Sequence, residues 1–108
     1  MSPRRGRFVG VDVVDLDDPR CVGKQRDDRF LRRILADAER KRVRESHDPA
    51  VTLWRTWAAK EAAYKVISKI RAAPPPFVHA AFRVDPSDPA APDQFGTVTW
   101  EDLSLIHI

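Results

Sequence analysis

The spacing of apolar and polar positions changes several times along the chain, and each change marks an element. Residues 8–16, FVGVDVVDL, are β-branched and apolar around Gly10, which predicts a first strand. Asp17, Asp18 and Pro19 end it. Residues 20–28 read as a polar loop with Gly23 as its turn residue. Phe30, Leu31, Ile34 and Leu35 then recur at helical spacing, so a short helix is predicted over 28–35 with Arg29, Arg32 and Arg33 outward. Asp37 reads as the N-cap of a second, very basic helix, AERKRVRES. Asp48 and Pro49 open a long third helix over 50–72, in which Leu53, Trp54, Trp57, Ala58, Tyr64 and Ile67 form a broad apolar stripe. Pro74, Pro75 and Pro76 stop it. Apolar runs at 77–84 and 95–100 predict two more strands, a hairpin pair across a Pro-rich loop. Residues 101–108 carry no terminating signal, and no internal repeat is present.

Composition narrows the class. A chain of 108 residues is one domain at most, and 43% hydrophobic with 32% charged residues is globular rather than disordered. A net charge of +3 with a pI near 9.4 favours an acidic partner or a phosphorylated ligand. Lys and Arg are interleaved with Asp and Glu, and no recognition helix or stacking-aromatic signature is present, so nucleic acid is not the expected partner. A single cysteine, Cys21, excludes an internal disulfide, no paired Cys/His spacing for zinc is present, and this fits a reducing cytoplasm. The N-terminus lacks a signal-peptide pattern, and no apolar run approaches the ~20 residues of a membrane span.

Candidate chemistry sits in two places. Asp12 lies inside an apolar strand pattern, where a carboxylate needs a partner or a cation. On the long helix, Trp57, Glu61 and Lys65 recur at i, i+4 and i+8, putting a ring, a carboxylate and an amine on one face. A Mg²⁺ ion on a phosphorylated ligand takes only one or two protein carboxylates, so Asp12 and Glu61 suffice as ligands if the helix packs on the strand. Lys65 would then reach the attached phosphate. The other reading of Glu61 and Lys65 is an ordinary helix ion pair worth a few tenths of a kcal/mol.

Residues 10–14 (GVDVV), 35–39 (LADAE) and 57–65 (WAAKEAAYK) resemble, in order and rough spacing, the three signature blocks of the 4′-phosphopantetheinyl transferase superfamily. The W-x-x-K-E-A-x-x-K block is the specific one. The resemblance covers about residues 8–84. It implies an α+β fold, a long central helix and shorter helices packed on a small, mainly antiparallel sheet. It also implies an enzyme that moves the phosphopantetheine arm of coenzyme A onto a serine of an acyl or peptidyl carrier protein, with Mg²⁺. Asp12 and Glu61 resemble the metal ligands, and Lys65 the lysine on the coenzyme A phosphates. Lys60 shares the block and is a further candidate for holding the ligand, with a solvated lysine as the alternative. Glu61, or a water on the metal, would accept the serine proton. Trp57 reads as core packing, and Glu39 as the acid of the second block or a first-turn carboxylate. Lys24 and Arg26, with Arg4 and Arg5, could meet the 3′-phosphate of coenzyme A. Arg32, Arg33, Arg40, Lys41, Arg42 and Arg44 could face an acidic carrier. His47 and His79 have no partner at ligand spacing and read as structural or exposed.

The chain also departs from the family pattern. Val14 stands where one subgroup has a second acid, with Asp15 the nearest substitute, and Ala36 replaces a common capping hydroxyl. Residues 101–108 do not resemble the family's further strands, which predicts a domain truncated at its C-terminus. Sites between subunits in the single-domain subgroup imply assembly with copies of itself. The alternatives are a non-catalytic half-domain that binds coenzyme A or a carrier, and a small basic nucleic-acid-binding module.

Overall fold

The computed structural model describes residues 8–9, 14–73, 75–86, 95–101 and 103–107. Two short strands, β1 (Phe8–Val9) and β2 (Val14–Asp15), pair antiparallel. Three helices follow, α1 (Asp28–Ile34), α2 (Asp37–Glu45) and α3 (Pro49–Ile70), with a 3₁₀ turn at Lys24–Arg26 before them. A second 3₁₀ turn, His79–Ala81, leads into the antiparallel sheet β3 (Phe82–Pro86), β4 (Phe95–Trp100) and β5 (Leu103–His107), in that order. The fold is α+β, as expected.

Local chemistry explains the helix starts. Asp27 caps α1 by accepting from the Phe30 N–H at 3.1 Å. Asp48 caps α3 the same way through the Val51 N–H, and Pro49 fills the first position, where no N–H is needed. α2 differs from expectation. Its N-cap is Ala36, with Asp37 already helical, and Glu39 accepts the Ala36 N–H at 2.8 Å. Alanine has no side-chain acceptor, so only this half of a capping box is made. α3 ends at Ile70, ahead of the prolines, where Arg71 turns extended.

α3 carries the core. Leu53, Trp54 and Ala58 pack with Leu31, Ile34, Leu35 and Val43 on one stretch of the helix. Ala59, Ala63 and Ile67 meet the sheet on the next. The register sets Phe82 against Trp100 and Val84 against Val98, so these four share the buried sheet face. The small Ala59 and Ala63 let the strands lie close to the helix axis, and Phe82 fills the space between them and Trp100.

Three expectations are corrected. The single strand over 8–16 is two antiparallel pieces, and Asp12 lies outside the described residues. The strand expected over 77–84 begins only at Phe82, because Phe77 and His79 stack on aromatic residues of α3 instead of joining a ladder. The stretch without a signal contains β5, which pairs with β4 through Trp100↔Leu103. Glu101 makes that tight turn at φ 53°, a left-handed conformation usually left to Gly or Asn.

Candidate active site

The two acids from the second and third sequence blocks occupy opposite environments. Glu39 is fully buried. Its Oε1 accepts from Lys60 Nζ at 2.5 Å and from the Ala36 N–H, and its Oε2 accepts from the Val84 N–H at 2.8 Å. Lys60 Nζ also donates to the Ile34 carbonyl at 2.8 Å. The ammonium thus sits at the C-terminus of α1 and the carboxylate at the N-terminus of α2, each at the helix end whose dipole favours it. One ion pair joins α1, α2, α3 and β3. Burial pushes the Lys60 ammonium below the usual lysine range, and the adjacent Glu39 carboxylate offsets part of that fall.

Neither residue faces solvent, so Lys60, a candidate for holding the ligand with a solvated lysine as the alternative, is buried within the fold. In this arrangement its ammonium points into the core and is already occupied. The acid of the second block is likewise a tie within the fold, more than the first-turn carboxylate expected. Arg42 belongs with it. Its guanidinium is hydrogen-bonded to the Val84 carbonyl, so α2 satisfies both backbone groups of Val84 on the side of β3 away from β4. Arg40 is bonded to the Leu35 carbonyl and Asp37. Two of the four α2 cations expected to face a carrier are therefore engaged within the protein, while Lys41 and Arg44 are exposed.

Glu61, the next residue after Lys60, turns about 100° around the helix and reaches the surface. Its side chain is 25% exposed, and its Oε1 lies 3.0 Å from His79 Nε2. His79, which has no partner at ligand spacing in the sequence, meets this carboxylate across 18 residues. The imidazole stacks against Trp57 (5.9 Å, 16°) and Phe77 (4.0 Å, 24°). A cavity of about 420 Å³ opens beside it, walled by Phe30, Arg33, Trp57, Phe77 and His79. Trp57 packs against the core as expected, is half-buried, and also forms part of that wall.

The expected phosphate contacts divide. Lys65 is exposed and lies one turn beyond Glu61 on α3. Lys24 pairs with Asp27 at 3.7 Å and sits 5.1 Å above the Phe30 ring, with Arg33 over the same ring at 5.6 Å. Two cations thus flank one wall of the cavity. Arg26 is exposed on the neighbouring 3₁₀ turn, with no contact that ties it to Glu61 among the described residues. Asp15 accepts the Asp17 N–H, as a turn-forming carboxylate does. Burial and the Asp18 carboxylate push the Cys21 thiol up, which keeps it protonated and a poor nucleophile.

Mg²⁺ is the metal that the resemblance implies. Among the described residues no three His, Cys, Asp or Glu side chains cluster as a metal site. Mg²⁺ does not require such a cluster, because one or two carboxylates with water and ligand phosphates complete its shell. Glu61 fits that demand, being a partly exposed oxygen donor. Glu39 does not, since both of its oxygens are occupied. Asp12, the other expected ligand, lies outside the described residues.

Comparison with known proteins agrees with the motif order. A family profile described as 4′-phosphopantetheinyl transferase superfamily matches residues 8–104. A holo-[acyl-carrier-protein] synthase of Azoarcus sp. (strain BH72) is 41% identical over 59 residues, which are 55% of this chain and 47% of that protein. The chain thus spans about half the length of the curated relative it matches. No solved structure matches the chain. Among the described residues, no helix is long and apolar enough to cross a membrane.

Proposed function

Because the chain belongs to the 4′-phosphopantetheinyl transferase superfamily, we propose that it transfers the 4′-phosphopantetheine arm of coenzyme A to a serine of an acyl or peptidyl carrier protein. One observation carries this reading. On one face of α3, Glu61 is a quarter exposed and Lys65 is exposed, while the neighbouring Lys60 is closed into the core.

In this reading Asp12 and Glu61 hold Mg²⁺, which when bound draws charge from the diphosphate oxygens. Glu61 accepts the proton of the carrier serine. The serine oxygen forms its bond to the β-phosphorus, and the bond from that phosphorus to adenosine 3′,5′-bisphosphate breaks. Lys65 neutralises charge on the departing phosphate. Lys24 and Arg33 flank the Phe30 wall, where cations meet an anionic ligand or partner at little further ordering cost. The work belongs in the cytoplasm, where Cys21 stays reduced. Assembly with copies of the chain would complete the site, and size-exclusion chromatography reads it directly.

Mass spectrometry of an apo carrier protein, incubated with coenzyme A, Mg²⁺ and this protein, tests the reaction. The expected result is a carrier heavier by one phosphopantetheine group. An unmodified carrier, beside a transferase control that modifies it, would overturn the activity. A melting temperature raised by coenzyme A and Mg²⁺ in that case would leave a binding domain without turnover.

A further inference from the structure

The family motifs name Glu61 but nothing that holds it, and the structure supplies that part. We propose that His79 is a positioning residue. Through Nε2 it fixes the Glu61 carboxylate in the orientation that a divalent cation meets. The proposal rests on the reading of Glu61 as a metal ligand.

The imidazole is held on two sides of Glu61 along the same helix. Trp57, four residues before Glu61, stacks on it at 5.9 Å. Phe77 stacks on it at 4.0 Å, and Phe77 in turn stacks on Tyr64, three residues after Glu61, at 4.4 Å and 4°. The Tyr64 hydroxyl donates to the Pro75 carbonyl at 2.7 Å and anchors that end. Stacked aromatic rings in a half-buried site have few alternative rotamers. The direction of the Nε2–H bond is therefore set by packing and not by the carboxylate it meets.

In the proposed arrangement the imidazole Nε2–H donates across the 3.0 Å contact and the carboxylate oxygen accepts. The hydrogen bond engages Oε1 and restrains rotation of the carboxylate about its last torsion. A metal ligand that would otherwise sample a broad torsional well is then already oriented. Partners of this kind typically change metal affinity by about 10–100-fold. His79 is 18 residues from Glu61 in sequence, and no motif connects the two.

Mn²⁺ is the probe, with its free signal followed by electron paramagnetic resonance and coenzyme A present throughout. His79→Phe keeps a stacking ring and removes the donor; His79→Gln keeps an N–H donor and removes the ring. For His79→Phe the Mn²⁺ dissociation constant should rise about tenfold or more, with the metal-free melting temperature unchanged. His79→Gln should recover most of that loss. A His79→Phe protein that binds Mn²⁺ as wild type does would overturn the proposal. So would ¹⁵N shifts of wild-type protein placing the imidazole proton on Nδ1, a measurement independent of any variant. Wild-type protein that binds no Mn²⁺ would overturn the metal reading of Glu61, and the proposal with it.

Discussion

Lys60 and Glu61 are adjacent in the chain and carry opposite charges, yet they do different work. Lys60 points inward, is fully buried, and joins three helices to a strand through Glu39. Glu61 points outward, keeps a quarter of its side chain exposed, and meets a histidine. The 100° step of the helix separates the roles. One position of the family's most specific block builds the fold, and the next is the one proposed to carry the chemistry. A motif can therefore be recognisable as a unit while its residues answer to different physical demands.

Substitutions at the two positions should part cleanly. The largest expected effect is on stability. Glu39→Ala leaves the Lys60 ammonium buried without its counter-ion and frees the Ala36 and Val84 N–H groups. It should cost about 3–5 kcal/mol in urea denaturation. Combining it with Lys60→Met should recover part of that loss, because the stranded charge is removed while the two N–H groups stay unpaired. A Glu39→Ala protein as stable as wild type would remove the distinction between the two sites.

Glu61→Gln should do the reverse. Its stability should change by under about 1 kcal/mol, while transfer falls about a hundredfold or more with loss of the base. Lys65→Ala should be milder, raising the KM for coenzyme A roughly tenfold through one lost charge-assisted bond. An unchanged KM would take Lys65 out of the phosphate site.

The smallest effect concerns a purely local contact, the Asp27 cap of α1. The Phe30 N–H holds the Asp27 carboxyl below its ordinary value of 3.8. Its stabilisation is complete above that ordinary value and is lost as pH falls through the lower folded value. Asp27→Asn still caps but does not titrate, so it should leave the neutral-pH melting temperature nearly unchanged and make the acid limb below about pH 4 shallower. An equally steep acid limb in the variant would place the titration elsewhere.

What was legible in the sequence was what sequence neighbours decide. Asp48 and Pro49 mark the start of α3 because cap and first turn are adjacent. The apolar runs that end at Val84 and Trp100, on either side of a Pro-rich loop, mark the sheet hairpin. The misread parts depend on distant partners. Lysine is almost never fully buried unless paired, and the partner of Lys60 lies 21 residues away. The His79 partner could not be named because its carboxylate is on another element. Ala36 displaced Asp37 as the α2 cap because Glu39 supplies the acceptor from inside the helix. β5 escaped because Glu101 makes its turn without the usual glycine or asparagine.

The division of labour between neighbouring residues is tested most directly by one assay. Phosphopantetheine transfer to an apo carrier is followed by mass spectrometry for wild type and for Glu61→Gln, after circular dichroism has shown equal folding. The expected result is a modified carrier with wild type and an unmodified one with the variant over the same time. Equal modification by both proteins would contradict the assignment of Glu61 and return the chemistry of this helix to an open question.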